Sequence, residues 1–395
     1  MELIFKINEN QKLIAMVVNN FYEDPLRVRE FALSQRIDIE GNFPGTRTVP
    51  FLNSENKNNL QKIFNPYGRL YKMCLHDDSI QKCNIQCNHG SFFLNTVNSC
   101  NSWIHNDDDF EYSAIIYLTP NASFSSGTSI LIPIDNKFEQ IKIETDRTKW
   151  VTIDSIGNIF NRVYIFDCQQ YHQANNYFGI NEEDGRLTQV MWFNISQTTT
   201  IKQNIVTNIG YPCSLNPEYN CEFIVIDNFY EYPYKVRDFA LSQNFYKTGN
   251  FLGSRCDSFL TNDIIKKFEN YLDQYDINIA KIRSPQYGSG SFQYITSKNK
   301  PEMRIDDNSD WSGLIFLTPD ANEQAGIRFY DYHDKTANKE TMNKYSKDFT
   351  KWNQIDKIYH KFNRLILFKS NKWYSMEEHF GIDKYDSGLF QVFFI

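Results

Sequence analysis

The sequence predicts a mainly β chain with flanking helices, arranged as two tandem jelly-roll domains. Three observations carry that reading. Residues 18–35, Val-Asn-Asn-Phe-Tyr-Glu-Asp-Pro-Leu-Arg-Val-Arg-Glu-Phe-Ala-Leu-Ser-Gln, return at 226–243 as Ile-Asp-Asn-Phe-Tyr-Glu-Tyr-Pro-Tyr-Lys-Val-Arg-Asp-Phe-Ala-Leu-Ser-Gln. A unit of roughly 200 residues is thus repeated, larger than a solenoid repeat and about the size of one domain. Each copy places a helix-like segment first and short strand-like runs afterwards, an order that suits a β-sandwich or jelly roll with a helical buttress. Finally, 24 Tyr and 32 Phe stand against 17 Gly and 12 Pro, a balance that favours strands over disorder.

Each element has its own justification. A short apolar strand opens each copy, and an Asp24-Pro25 or Tyr232-Pro233 step leads into a helix over Pro25 to Gln35 or Pro233 to Gln243. Proline suits the first helical turn because its missing N–H would lack a partner there anyway. The repeat continues through Gly41 to Arg47, matched by Gly249 to Arg255. Runs such as Ser113 to Leu118, Arg162 to Phe166 and Leu187 to Phe193 read as strands, and the Gly, Asn, Asp and Ser clusters between them as turns. The polar, then proline-containing stretch at 201–222 reads as a linker between a domain at 1–200 and another at 223–395.

Length and charge narrow the function. At 395 residues the chain is long enough for two substantial cores, and 41% apolar with 23% charged residues describes a globular protein. A formal net charge of -7 leaves no broad electrostatic footprint for nucleic acid. The opening residues lack an apolar segment with a small-residue cleavage site, and no apolar run approaches membrane-spanning length, so a cytoplasmic location is expected. Eight cysteines are too sparse for a disulfide scaffold.

The chemistry centres on Trp103-Ile104-His105-Asn106-Asp107, Tyr171-His172 and Arg186-Leu187-Thr188. In an extended strand, side chains two apart share a face, so His105 and Asp107 can reach one ion while Asn106 points away. Two imidazoles and a carboxylate, with other positions open, suit non-haem Fe(II). Zinc accepts the same ligands, and spacing does not separate the two metals.

The unit resembles the 2-oxoglutarate- and Fe(II)-dependent dioxygenase superfamily across most of residues 15–195. Its Asn20-Phe21-Tyr22, Asp24-Pro25, Val28-Arg29 and Pro44-Gly45-x-Arg47 are similar to those of an uncharacterised subgroup. The resemblance implies a double-stranded β-helix, the cupin-like jelly roll, with His105, Asp107 and His172 binding iron in its mouth. It also implies that Arg186 anchors 2-oxoglutarate, that O2 is consumed, and that decarboxylation to succinate is coupled to hydroxylation of a substrate. A buried distal carboxylate needs a cation, and arginine offers a planar fork for it, with Thr188 two residues along the same face as a hydroxyl donor.

The second copy serves as an internal control. Ile115 to Pro120 aligns with Leu314 to Pro319, so His105 becomes Arg304 while Asp107 remains Asp306. Near the end, Phe178-Gly179-Ile180 aligns with Phe380-Gly381-Ile382; His172 becomes Tyr374, Arg186 becomes Gly388 and Thr188 becomes Phe390. One carboxylate does not hold iron, and the copy reads as a non-catalytic domain in which Arg304 pairs with Asp306 and Trp373 and Tyr374 fill the vacated space.

Cys74, His76, Cys83, Cys87, His89 and Cys100 crowd the first copy only, but their spacing lacks the two-arm pattern of a zinc clip, and free cysteines also pack as small hydrophobes. Arg47 and the acidic run Asp107-Asp108-Asp109 are expected near the mouth. The substrate reads as a protein side chain or an amino-acid-like molecule. Rival readings are a nucleobase hydroxylase and a non-enzymatic binding or structural protein.

Overall fold

The computed structural model describes residues 4–41, 43–71, 89–100, 102–135, 143–196, 212–247, 251–275, 282, 288–306, 308–322 and 324–395. Cys74, His76, Cys83 and Cys87 lie outside the described residues, as does the 201–211 part of the expected linker. In the remainder of that stretch Leu215 bridges to Tyr22, and a strand already begins at Asn220.

The chain is mainly β and divides into two compact units, Ala15–Glu222 and Phe223–Ile395 together with Met1–Ile14. The first domain expected at 1–200 therefore starts earlier than the compact unit does. Phe5 is buried against Tyr230, Phe239 and Phe292, and Lys6 pairs with Glu231 at 2.7 Å. These contacts hold the opening segment to the second unit.

In the first unit the strands are β1 (Lys12–Asn19), β2 (Ile39–Gly41), β3 (Phe43–Arg47), β4 (Arg69–Tyr71), β5 (Phe92–Asn95), β6 (Ile104–His105), β7 (Tyr112–Tyr117), β8 (Thr128–Pro133), β9 (Ile143–Glu144), β10 (Trp150–Ile156), β11 (Val163–Asp167), β12 (His172–Ala174) and β13 (Arg186–Ser196). One sheet runs β1-β11-β7-β13-β5-β3-β2, and the other β10-β8-β12-β6-β9. From β5 to β8 the chain crosses between sheets at every step, and it does so again from β10 to β13. The resulting orders, β5-β13-β7-β11 facing β6-β12-β8-β10, are those of a double-stranded β-helix.

Strand β13 shows how sequence sets the two faces. Leu187, Gln189, Met191 and Phe193 are buried on one side, and Arg186, Thr188, Val190 and Trp192 share the other, the period-two pattern of a strand with two different environments. The first side is covered by helices. Helix α1 (Pro25–Ser34) begins after Asp24, whose side chain accepts from Arg27 N, and it packs Phe31 on Phe92. Helix α2 (Ser54–Phe64) brings Phe64 within 5.1 Å of Phe193, ring centre to ring centre. Burying each such ring contributes about 1.5–3 kcal/mol.

The repeated Val-Arg pair has a structural cause. Arg29 donates from α1 to the carbonyls of Leu118 and Glu183, and its counterpart Arg237 donates to Leu317 and Tyr385. Gly45 has one too: its φ is +78°, and a Cβ there would meet Leu94 O at 2.3 Å. That bend lets Pro44 O accept from Asn95 Nδ2 at 2.7 Å. We expect Gly45→Ala to destabilise the first unit by on the order of 1–3 kcal/mol, the usual cost of a left-handed conformation without glycine, read as a lower urea midpoint.

The second unit repeats the wrapping with β14 (Asn220–Asp227), β15 (Ser254–Ser258), β16 (Ser291–Ile295), β17 (Trp311–Phe316), β18 (Ile327–Tyr332), β19 (Trp352–Ile358), β20 (Leu365–Lys369), β21 (Trp373–Met376) and β22 (Gly388–Phe394). Its sheets run β15-β16-β22-β17-β20-β14 and β21-β18-β19. Where β6 pairs with β12 in the first unit, this one has the single bridge Arg304↔Tyr374.

Candidate metal centre

Strand pairing brings two distant histidines together. In the β6–β12 ladder His105 stands directly opposite His172, and their rings lie 4.3 Å apart between centroids. Directly opposed residues on one face are close enough for such contact. Asp107 follows just beyond β6, where its N–H donates to Cys168 O at 2.8 Å and turns the carboxylate back toward the pair. Oδ1 then lies 3.9 Å from His105 Nε2, and Oδ2 lies 3.6 Å from His172 Nε2.

The protons are arranged for ligation. His105 Nδ1 lies 3.2 Å from Trp103 O, and His172 Nδ1 lies 3.0 Å from Gln170 O. A carbonyl can only accept, so each Nδ1 carries the proton, and in the neutral ring each Nε2 presents its lone pair to the centre. Burial, then the neighbouring His105, pushes His172 down to about 4 against the opposing pull of Asp107, which keeps it a neutral donor at pH 7. All three ligand atoms fall within 4.8 Å of one another. Atoms bound about 2.0–2.2 Å from one ion have just this kind of spacing, so the donor set fits a divalent metal.

The triad opens into a cavity of about 350 Å³ between the two sheets, lined also by Arg186 and Thr188. Both are buried, at 4% and 2% exposure. Arg186 Nε donates to Ser126 O at 3.0 Å and Nη2 to Gly127 O at 3.4 Å, and its guanidinium sits 5.6 Å from the Tyr117 ring centre. Among the described residues no carboxylate pairs with it. A buried cation held only by carbonyls and a ring is suited to an incoming anion.

Aromatic walls come from Phe43, Phe93, Trp103 and Trp192. Trp192 also donates its indole N–H to Asp107 Oδ2 at 2.6 Å. This contact is not anticipated from the sequence, although the alternation of β13 places Trp192 on the face of Arg186 and Thr188. Asp108 lines the mouth as expected, but Arg47 does not: it is buried beside the Phe43 ring, with Nη1 donating to Thr48 O. The β3–β5 ladder sets it opposite the wall residue Phe93, on the cavity side of the sheet, but its guanidinium is directed to Thr48 O and Ser91 Oγ instead. His89 is buried with Nδ1 against Trp192 O at 3.1 Å, and Cys100 is exposed.

At the matching place the second unit has a void of only about 40 Å³. Arg304 pairs there with Glu302 at 3.2 Å, and Asp306 accepts from Ser312 Oγ at 2.9 Å and Tyr374 OH at 3.0 Å. Tyr374 and Phe390 line this space, whereas Trp373 packs in a cluster with Met303, Tyr332 and Trp352. Burial raises the Asp306 carboxyl above its usual range, outweighing the two hydroxyl donors and Arg304 and Arg255. A raised folded-state value means that stability falls as pH climbs from the unfolded value near ~3.9 through the folded one. We expect Asp306→Asn to remove that fall, seen as a flatter melting-temperature profile above pH 4, without changing bound metal.

No family model matches the chain, and no curated protein matches it. Solved structures similar to it include a prolyl hydroxylase in complex with a hypoxia inducible factor oxygen degradation domain peptide fragment from Trichoplax adhaerens, at 15% identity and TM-score 0.27, covering 44% of this chain and 83% of that one. Vicilin from Corylus avellana aligns at 9% identity and TM-score 0.17 over 77% of this chain and 74% of that one. A salicylate 1,2-dioxygenase from Pseudaminobacter salicylatoxidans aligns at 6% and 0.14, over 79% and 73%. Likenesses at these scores carry no weight for function. No helix among the described residues is long and apolar enough to cross a membrane.

Proposed function

We propose that the first unit is a 2-oxoglutarate- and Fe(II)-dependent dioxygenase and that the second is its non-catalytic companion. The observation that carries this reading is Arg186, a buried cation with no carboxylate partner among the described residues, in the cavity that holds the His105, Asp107 and His172 donors. Zinc or another divalent ion would fit the triad alone. The buried guanidinium beside it, with no carboxylate partner among the described residues, argues for an anionic cosubstrate.

Each residue has a task. His105 Nε2, His172 Nε2 and a carboxylate oxygen of Asp107 would hold the metal. Arg186 binds the distal carboxylate of 2-oxoglutarate by charge-assisted hydrogen bonds, and Thr188 adds a hydroxyl. The aromatic walls exclude water, which strengthens these polar contacts. When bound, ferrous iron supplies the oxygen-activating chemistry that couples decarboxylation of 2-oxoglutarate to oxidation of the substrate. A cavity near the lower end of the ~300–1,000 Å³ range of ligand sites suits a protein side chain or an amino-acid-like molecule beside the cosubstrate.

The test uses the full chain. Anaerobic addition of Fe(II) and 2-oxoglutarate should produce a weak visible charge-transfer band, and admission of air should yield succinate. Absence of both would sink the reading in favour of a binding or structural protein.

A further inference from the structure

We propose that Trp192 is a positioning residue that fixes the carboxylate of Asp107 for metal binding, a role that rests on the metal-site reading above. The indole N–H meets Oδ2 at 2.6 Å. A carboxylate turns about a broad, roughly two-fold terminal torsion, so an unrestrained Asp107 would present its oxygens to the centre in many orientations. Holding Oδ2 selects one of them and leaves Oδ1, the oxygen nearer His105 Nε2, for the ion.

Trp192 is itself held in place. Its backbone pairs with Ser113 across the β7–β13 ladder, and its ring meets the edge of His89 at 5.6 Å and 85°. His89 is 5% exposed, and its Nδ1 sits 3.1 Å from Trp192 O, so it ties the indole's backbone as well as its face. An outer partner fixed by packing and hydrogen bonding orients a ligand more effectively than a mobile one.

The second unit separates this role from simple wall-building. There β22 places Phe394 opposite Ser312, the same register that places Trp192 opposite Ser113. The aromatic wall survives at this position, but the N–H donor does not. Asp306 takes its hydrogen bonds from Ser312 and Tyr374 instead. The donor is therefore missing in the unit that also lacks both imidazoles. A ring needed only for packing would leave that coincidence unexplained.

The experiment is a Co(II) titration of the full chain, followed by visible absorption and by calorimetry, on the parent, on Trp192→Phe, and on a chain carrying benzothienylalanine at position 192. The last keeps the bicyclic ring and removes only the N–H, so it remains informative should the phenylalanine variant fold poorly. Both replacements are expected to weaken Co(II) binding by about 10- to 100-fold, as loss of an outer-shell partner typically does. They should alter the Co(II) absorption while leaving metal-free thermal unfolding of the benzothienylalanine chain unchanged. Equal affinity and identical spectra in the parent and the benzothienylalanine chain would overturn the role of Trp192. Failure of the parent itself to bind Co(II) would overturn the metal-site reading beneath it.

Discussion

Replacing His172 with alanine is expected to abolish iron retention and to lower succinate formation by more than the roughly 100-fold that loss of an outer-shell partner can cost. The side chain is 5% exposed, faces His105 across the β6–β12 ladder, and packs its ring edge on Phe166 at 4.8 Å. No other imidazole among the described residues shares the three-ligand cluster with His105 and Asp107, so nothing nearby substitutes for it. The counterpart change in the second unit, Tyr374→Ala, removes a donor to Asp306 and a ring 5.1 Å from Phe368. It should lower the melting temperature yet leave iron and succinate unchanged. Colorimetric iron determination and chromatography of the reaction mixture read both outcomes; equal iron retention by His172→Ala and the parent would remove His172 from the site.

Those contrasting expectations were within reach of the sequence because the repeat aligns Tyr374 with His172 and Arg304 with His105. Local chemistry also marks the proline-led helix starts and the strand at Leu187 to Phe193. The pairing partners are another matter. β6 spans only two residues and β12 three, too short for propensity to define, and they exist as strands because the ladder between them forms. Arg47 shows the opposite difficulty: it stands opposite the wall residue Phe93, yet its guanidinium is taken up by Thr48 O and Ser91 Oγ rather than by the cavity, which the pattern Pro-Gly-x-Arg does not encode. The contact between Trp192 and Asp107 depends on both the β7–β13 register and the turn after β6, so no linear spacing announces it. The docking of Phe5 on the second unit is likewise a matter of aromatic packing over a long sequence separation.

Arg186→Met is expected to separate cosubstrate binding from metal binding. Methionine fills much of the same volume without charge, and it removes the Arg186 donor from Ser126 O and Gly127 O, which keep Asn158 Nδ2 and the Asn175 N–H as donors. Two effects on metal-free stability then oppose each other: loss of two hydrogen bonds, each worth about 0.5–1.5 kcal/mol, or somewhat more to a charged donor, and relief of a buried cation that no carboxylate among the described residues offsets. Their near cancellation should keep the melting temperature of the metal-free chain within a few degrees of the parent's. Ligand binding has no such offset. Removing one partner of a buried, hydrogen-bonded charge pair costs about 2–5 kcal/mol, or about 30- to several-thousandfold in affinity for 2-oxoglutarate. Parent protein with metal should therefore gain thermal stability as 2-oxoglutarate is added, in proportion to the logarithm of its concentration over Kd, and Arg186→Met should not. Co(II) affinity should be the same in both, since Arg186 contributes none of the three donors. Arg186→Lys should fall between them, because an ammonium keeps the charge but not the planar fork. If Arg186→Met bound 2-oxoglutarate as the parent does, the anion would have to be held elsewhere; if it lost Co(II) as well, Arg186 would be supporting the walls of the cavity rather than the cosubstrate.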